Sequence, residues 1–202
     1  MRYAMVIDLS KCVGCNACTV SCKTNNGIPM GILWAKVITE EIGTYPNAKM
    51  AFTPVLCMHC KEAPCVKACP TGASQKLDNG ITWIDENKCM GCKACILACP
   101  YEARYFNPKE PLGYYPEKGY TEQEKAQFSD YQSGIVTKCD FCIDRVGEGK
   151  DPACVQTCVS KARHFGDLDD PDCDLNHLIN LRGGIQLFAE FGTEPSVYYL
   201  PR

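Results

Sequence analysis

The chain has 202 residues and a formal net charge of −3 at pH 7, with 22% charged residues, and nothing in this balance indicates a nucleic-acid-binding protein. No stretch reaches the roughly 20 apolar residues of a membrane-spanning helix, and no Gly-rich dinucleotide motif, phosphate loop or nucleophile motif appears. The composition therefore excludes these common classes, and its outstanding feature is a content of 17 cysteines.

The predicted regular elements are short and lie around groups of cysteines. One helix is predicted after Thr121, where Thr121 and Glu124 form a T-x-x-E capping box. The clearest strands form a hairpin around Asn79-Gly80, because this pair supplies the positive φ angles of a tight turn. In chain order, short strands are predicted at residues 3–8, 33–39, 73–77, 81–84, 135–137 and 162–168.

Sixteen of the cysteines form four closely spaced groups, which we call quartets. The first and third quartets have the spacing C-x2-C-x2-C-x3-C, which is the ligand run of bacterial ferredoxin 4Fe-4S sites, and the other two lengthen only the second gap. From first to fourth, the quartets are Cys12, Cys15, Cys18, Cys22; Cys57, Cys60, Cys65, Cys69; Cys89, Cys92, Cys95, Cys99; and Cys139, Cys142, Cys154, Cys158.

This spacing matches the geometry of a cubane cluster. The irons of a cubane lie close together, so three of its ligands come from one curled loop, while the fourth cysteine of the run reaches the neighbouring cluster. We expect each fourth cysteine to lie on a short helix. The sequence therefore predicts about four 4Fe-4S clusters, bound by quartets that work in pairs.

Two other uses of the cysteines fit the spacing less well. Disulfide geometry is not satisfied by three cysteines within seven residues, and the chain opens with MRYAMVIDLS rather than with an export signal. A structural zinc site uses pairs of cysteines and has no use for the third and fourth members of a quartet. Cys173 stands apart from the quartets and is predicted to be an unligated thiol.

The lengths of the connections predict which quartets pair. Only nineteen residues separate Cys69 from Cys89, so the second and third quartets should form one compact unit, with the first and fourth paired around it. With exchange of the fourth ligands, the predicted ligand sets are Cys12, Cys15, Cys18, Cys158 (cluster one); Cys139, Cys142, Cys154, Cys22 (cluster two); Cys57, Cys60, Cys65, Cys99 (cluster three); and Cys89, Cys92, Cys95, Cys69 (cluster four).

The pairing predicts an α+β fold of two intertwined bacterial-ferredoxin-like lobes, with the inner lobe inserted in the outer one. Residues 1–50 and 135–170 would form the outer lobe, and residues 51–106 the inner lobe. Residues 107–134 form a Tyr- and Pro-rich insertion, and residues 171–202 form a C-terminal docking tail. Both segments are predicted to be docking surfaces, because tyrosine is favoured at interfaces. For both segments the alternative is a cover over the clusters. Folding should depend on the metal.

Residues beside the ligands are candidates for tuning the clusters. Lysines adjoin several of the cysteines, among them Lys88 and Lys93, and positive charge near a cluster favours its reduced form. His59 is a candidate hydrogen-bond donor to a cluster sulfur. The alternatives are lysines that only solvate the loops and a histidine that only packs within its loop.

Four segments resemble the four-cluster electron-transfer subunits of the DMSO reductase family of molybdopterin oxidoreductases, which includes the polysulfide, thiosulfate, tetrathionate and arsenate reductases. The resemblance spans nearly the whole chain and includes all sixteen ligand positions. Val159 departs from it, since many relatives have proline after the last cysteine. The segments are MVIDLSKCVGCNACTVSCKTNN, PVLCMHCKEAPCVKACPTGAS, IDENKCMGCKACILACPYEARYFNP and TKCDFCIDRVGEGKDPACVQTCVSKARHFGDLDDP.

The resemblance implies a non-catalytic subunit that passes single electrons between a quinol-linked membrane subunit, or another donor, and a large catalytic subunit with a molybdenum or tungsten bis-pterin cofactor. It also implies a place on the extracytoplasmic face of the cytoplasmic membrane, reached by co-export with a partner; the cytoplasm is the alternative. A free-standing soluble polyferredoxin that serves several redox enzymes is the alternative function, and a zinc scaffold without redox activity is a third.

Overall fold

The computed structural model describes the whole chain, residues 1–202. The strands are β1 (Tyr3–Asp8), β2 (Lys36–Ile42), β3 (Lys49–Val55), β4 (Ser74–Lys76), β5 (Thr82–Ile84), β6 (Tyr105–Phe106), β7 (Val136–Thr137), β8 (Arg163–Asp167) and β9 (Val197–Leu200). The helices are α1 (Ala17–Asn25), α2 (Pro64–Lys67), α3 (Ala94–Leu97), α4 (Glu122–Gln127), α5 (Ile143–Gly147), α6 (Ala153–Gln156) and α7 (Asp174–Arg182), with a 3-10 turn at Ala189–Phe191. None of these helices is long and apolar enough to cross a membrane.

Strand β1 lies at the centre of a three-stranded sheet. It pairs antiparallel with β8 and parallel with β9. Its side chains alternate between two cores, as the period of a strand requires: Ala4 and Val6 pack with Leu175 of α7, while Met5 and Ile7 face the main core. The predicted strand at residues 3–8 is confirmed, and the segment 171–202 supplies both a strand of this sheet and its covering helix.

The other strands form two-stranded pairs. β4 and β5 are the predicted hairpin, in which Asn79 Oδ1 accepts a hydrogen bond from the backbone N–H of Ile81 and Gly80 has a φ of 81°. β2 pairs antiparallel with β3. The strand predicted at residues 33–39 therefore begins three residues later, at Lys36, because its register is set by pairing with β3, which was not predicted. β6 pairs with β7 and joins the two sides of the insertion.

The insertion carries the predicted helix. α4 begins with the capping box, in which Thr121 Oγ1 accepts from the Glu124 N–H and the Glu124 carboxylate accepts from the Thr121 N–H. The same carboxylate accepts a hydrogen bond from the Tyr114 N–H at 2.7 Å. Gln127 Nε2 donates to the carbonyl of Thr24 at 2.7 Å, so the insertion is held against the end of α1.

Sulfur makes up a large part of the main core. This core contains 23 buried residues, of which eight are cysteines: Cys18, Cys22, Cys57, Cys60, Cys65, Cys95, Cys139 and Cys154. Since a thiol is small and carries little apolar area, the core formed by carbon side chains alone is limited. The packing of this core is consistent with the expectation that folding depends on the metal.

The third cysteine of every quartet lies on a helix. These residues are Cys18 on α1, Cys65 on α2, Cys95 on α3 and Cys154 on α6. The prediction that each fourth cysteine lies on a helix is correct for Cys22 and wrong for the other three, which follow the helix end: Cys69, Cys99 and Cys158. The reason is that α2, α3 and α6 are single turns, and Pro70 and Pro100 disfavour helical backbone in the cysteine before them.

Candidate iron-sulfur centres

The packing of the short helices brings the quartets together in pairs. α1 packs against α6, so the first quartet adjoins the fourth, and α2 packs against α3, so the second adjoins the third. Each helix pair therefore juxtaposes two third cysteines, from segments as far apart in the chain as Cys18 and Cys154.

Two cavities in the outer pair are each lined by four cysteines. One is lined by Cys12, Cys15, Cys18 and Cys158. The other is lined by Cys22, Cys139, Cys142 and Cys154. These are the residues predicted as ligands of clusters one and two, and in both cavities the fourth cysteine comes from the partner quartet. Ligation itself stays a prediction.

The inner pair shows the same exchange in its electrostatics. Burial, followed by the thiols of Cys57, Cys65 and Cys99, raises the pKa of Cys60 to about 12. Burial also raises the pKa of Cys95, a shift that Arg104 opposes and that the neighbouring thiols of Cys69 and Cys89 increase. Cys99 thus lies beside the second quartet and Cys69 beside the third.

The donor set fits iron-sulfur clusters. All seventeen cysteines are free thiols, and thiolate is the ligand that such clusters require. Backbone N–H groups approach some of the sulfurs: Ser74 donates to Cys69 Sγ at 3.4 Å and Ala162 to Cys158 Sγ at 3.2 Å. Burial raises the pKa of Cys69 and Cys158, but these hydrogen bonds outweigh it and hold both values below that of an ordinary thiol. At these two cysteines the surroundings therefore favour the metal-binding, ionised form.

The four sets differ in exposure. Cys15 and Cys92, in the sets for clusters one and four, are exposed. By contrast, all four cysteines of the cluster-two set are buried, and so are the three cysteines that the second quartet contributes to the cluster-three set. Burial raises the pKa of Cys139 well above the ordinary value, and the thiols of Cys22 and Cys57 lie near enough to raise it further. The cluster-two and cluster-three sets are therefore neighbours in the interior.

The predicted tuning residues contact other groups than the cysteine sulfurs. His59 is completely buried and stacks on Phe141, with ring centroids 3.6 Å apart; its Nδ1 accepts from the Thr82 N–H, and its Nε2 has no hydrogen-bond partner. Burial and the nearby lysines hold its pKa well below 6.5, so the ring is neutral. Lys88 pairs with Asp85 at 3.0 Å. The ammonium group of Lys93 lies 3.9 Å from the centroid of the Phe106 ring.

Two arginines that were not predicted from the sequence contact the cysteine sulfurs. Arg104 Nη2 lies 2.9 Å from Cys65 Sγ, and the Arg163 guanidinium lies 3.5 Å from Cys18 Sγ and 3.8 Å from Cys154 Sγ. The signal that points to them in the sequence is an internal repeat. Each arginine follows the last cysteine of its quartet by five residues, in the similar segments EARYF and KARHF.

Comparison with protein families agrees with the geometry. A 4Fe-4S dicluster domain family matches residues 48–112 and 124–168, and a second family with the same description matches residues 11–73. Together the matched residues include all four quartets. The families therefore identify the quartets as iron-sulfur motifs and not as zinc or disulfide frameworks.

Several curated proteins are similar over the full chain. A selenate reductase subunit of Mesobacillus selenatarsenatis is 43% identical, with 99% of this chain and 72% of the relative covered. A sulfite dehydrogenase subunit of Allochromatium vinosum is 42% identical over 100% of this chain and 83% of the relative. The arsenate respiratory reductase iron-sulfur subunit of a Shewanella species is 40% identical over 99% and 96%.

These relatives are named as subunits of reductase and dehydrogenase complexes, and a further one, 38% identical over 85% of this chain, is named as a thiosulfate reductase electron transfer subunit. None of these names describes a catalytic subunit. The chain belongs to the 4Fe-4S dicluster family, and it is an iron-sulfur electron-transfer protein rather than a catalytic one.

Proposed function

We propose that this chain relays single electrons through four 4Fe-4S clusters between an electron donor and a large catalytic subunit that carries a molybdenum or tungsten bis-pterin cofactor. The observation that carries the proposal is the arrangement of the cysteines: two sets each contain an exposed cysteine, and the other two sets are largely buried and lie near each other. When bound, the clusters supply the one-electron chemistry that the side chains lack. A protein with this arrangement has two surface positions at which electrons can enter or leave, and an interior that is insulated from solvent.

The proposed ligands are the four predicted sets, with the fourth cysteines exchanged between paired quartets. The cavities lined by Cys22 with three cysteines of the fourth quartet, and by Cys158 with three of the first, support the outer two sets. The positions of Cys99 and Cys69 support the inner two. This exchange is also the support for two intertwined lobes, with the inner lobe inserted in the outer one.

The chain's own residues keep water from the interior sets. Apolar side chains share the cavity of the cluster-two set, among them Met5, Leu56 and Phe141, each of which is at most 3% exposed. Exclusion of water strengthens every charge interaction at these sulfurs. The buried lining therefore both protects the site and makes its properties sensitive to nearby charges.

The surfaces beside the two exposed cysteine sets, which we call the two ends, have the character of docking surfaces. Beside Cys92, Met90 and Leu97 are 67% and 89% exposed, and beside the cluster-one set Val20 and Val159 are 61% and 71% exposed. Exposed apolar side chains around a functional group are typical of an interaction surface. We propose that one end contacts the catalytic subunit and the other the donor.

A quinol-oxidising membrane subunit as the donor, and a location on the extracytoplasmic face of the membrane after co-export with the partner, are proposals that rest on the family resemblance. Protease treatment of intact spheroplasts tests the location: degradation of this chain supports the extracytoplasmic face, and protection until lysis supports the cytoplasm. Loss of the chain from washed membranes of a mutant that lacks the candidate membrane subunit would support that subunit as its attachment.

The experiment that tests the relay is metal analysis of the complex purified anaerobically from its native source. About sixteen irons per chain, with near-stoichiometric molybdenum or tungsten, are expected for four cubanes and a pterin-containing partner. Iron without the heavier metal, in a chain that purifies alone, would favour a free-standing polyferredoxin. Zinc in place of iron would contradict the relay.

A further inference from the structure

Arg104 and Arg163 occupy equivalent positions in an internal repeat. In each copy a left-handed residue, Glu102 or Lys161, both with a φ of 50°, precedes a buried alanine and then the arginine. The left-handed residue donates its N–H to the carbonyl of the fourth cysteine, at 3.3 Å in the first copy and 3.1 Å in the second. The same turn therefore directs both arginine side chains into the protein, one in each lobe.

Both guanidinium groups contact a third cysteine of their own lobe. Arg163 lies between them directly, with Nη2 at 3.5 Å from Cys18 Sγ and Nη1 at 3.8 Å from Cys154 Sγ. Arg104 contacts Cys65 Sγ at 2.9 Å, and its charge also acts on Cys95. Arg163 thus contacts both ligand sets of its lobe, whereas Arg104 contacts the cluster-three set and acts on the cluster-four set through its charge.

No carboxylate neutralises either arginine. Arg104 and Arg163 are only 3% and 4% exposed, and neither forms a salt bridge with an aspartate or glutamate. Burying an unpaired cation is costly. In addition, Nε and Nη1 of Arg104 are buried without a hydrogen-bond partner. The anionic groups within reach are the cysteine sulfurs, so the burial of these arginines is explained by negative charge at the paired sets.

The lysines beside the cysteines differ from the arginines in this respect. The ammonium group of Lys23 donates to the carbonyls of Pro29 and Ile32, and that of Lys61 pairs with Glu194. Lys138 is buried, but it donates to the backbone carbonyl of Cys139. The direct positive contacts to the sulfurs therefore come from the two arginines.

We propose that Arg104 and Arg163 are paired positioning residues, each of which holds two cysteine sets of its own lobe and stabilises the reduced state of both clusters bound there. The proposal rests on the ligand sets proposed above. Reduction adds one negative charge to a cluster, and a buried guanidinium that donates to its ligand sulfurs favours that state. Because the charge is buried, the effect is screened little by salt. Arg104 thus acts on clusters three and four, and Arg163 on clusters one and two.

The test is a potentiometric titration of the anaerobically purified complex, followed by electron paramagnetic resonance of the individual reduced clusters. Arg104→Gln and Arg163→Gln remove the charge and keep hydrogen-bonding groups. We expect a decrease of about tenfold in the reduced-to-oxidised ratio of two clusters at a fixed potential, which equals about 59 mV for a one-electron couple. The two clusters affected should differ between the variants.

A charge-conserving variant and a surface control refine this test. Arg163→Lys keeps the charge but loses the planar fork, so its shift should be smaller than that of Arg163→Gln. Arg182→Gln is the matched control, since Arg182 is half-exposed and bonds Asp8 at 3.4 Å rather than a cysteine. The control should leave all four potentials unchanged. A Lys variant with the same shift as the Gln variant would contradict the role of the charge.

Every result separates this proposal from the relay itself. A shift, or a loss of iron, confined to the two clusters of the arginine's own lobe supports the proposal. An equal effect on all four clusters, an effect on a single cluster, or no effect overturns it, even where the wild-type complex holds its full iron. If the wild-type complex lacks four clusters, the ligand sets fail first, and the arginine proposal fails with them.

Discussion

The interior cysteine sets, for clusters two and three, are more deeply buried than the exposed sets, for clusters one and four. This difference in burial follows the spacing of the motifs. The first and third quartets, with two residues in the second gap, contain the exposed Cys15 and Cys92. The second and fourth quartets have four and eleven residues in that gap, and their second cysteines, Cys60 and Cys142, are buried. The extra residues cover the site, so gap length separates insulated from accessible sets.

The gap residues of the fourth quartet show how this covering works. They contain α5 and Pro152, which lines the cavity of the cluster-two set together with Cys142. In the second quartet the gap includes Ala63, which is 4% exposed and belongs to the main core. A motif with only two residues in the gap has too few residues to cover its second cysteine in this way.

Iron removal should have the largest effect and should divide the sets by exposure. Anaerobic treatment with a chelator is expected to extract iron from the accessible sets first. When iron is also lost from the interior sets, cooperative unfolding should disappear, because metal binding supplies folding free energy. Iron analysis and circular dichroism, measured together over time, check this. Cys173→Ser is the control and should behave as the wild type. An iron-free chain that unfolds as cooperatively as the loaded one would contradict the expectation.

Replacement of an interior ligand should be the next largest effect. Cys139→Ser is expected to lose about four of sixteen irons and to abolish turnover from the native donor, since Cys139 lies near both Cys22 and Cys57 at the junction of the interior sets. Turnover of the catalytic partner with a small reducing dye should persist. The measurements are iron content and both turnover rates. Native turnover in a variant that has lost its cluster-two iron would exclude that cluster from the relay.

A charged substitution beside either exposed cysteine set should weaken the binding of one partner only. Leu97→Asp lies on α3 beside the cluster-four set, and Val20→Asp lies on α1 beside the cluster-one set; both side chains are exposed, so neither substitution opens the core. We expect each to weaken binding of a different partner by about tenfold, or about 1.4 kcal/mol. Titration of each partner against both variants measures this. If both variants weaken the same partner equally, the two ends do not have separate roles.

The smallest effect is expected at the cap of α4 in the insertion. Thr121→Ala removes the hydroxyl that caps α4 and should destabilise that helix by about 1 kcal/mol. Hydrogen exchange of the amides of α4 should increase, while the cluster potentials stay at the wild-type values. The exposed Lys125→Ala is a suitable comparison, since it removes only a surface ion pair with Glu122. A change in cluster potentials would show that the insertion is coupled to the sets.

The elements predicted correctly carry local signals. The β4–β5 hairpin depends on Asn79 and Gly80, and α4 depends on Thr121 and Glu124, all within a few residues of the element concerned. β2 begins three residues later than predicted because its register depends on β3, a strand that the sequence pattern did not predict. The tail was assigned to docking from its aromatic residues, yet Tyr199 is fully buried and belongs to the central sheet; Phe188 and Phe191 remain exposed.

The tuning residues show the same limit. Lys88 and Lys93 were selected because they adjoin ligands in sequence, but side chains of adjacent residues point in different directions, and these two contact Asp85 and Phe106. The arginines are five residues beyond the last cysteine of their quartets and are turned inward by a left-handed residue. The repeat of EARYF and KARHF was visible in the sequence, although its meaning depends on that turn.

By itself the sequence predicted the number, type and spacing of the sulfur ligands, because three ligands of a cubane come from one short loop and leave a local pattern. The lengths of the connections also indicated which quartets pair. Only the tertiary structure decided where the tail lies and which cations reach the sulfurs. These contacts depend on the packing of segments that are distant in the chain, such as α1 against α6, and no local spacing encodes them.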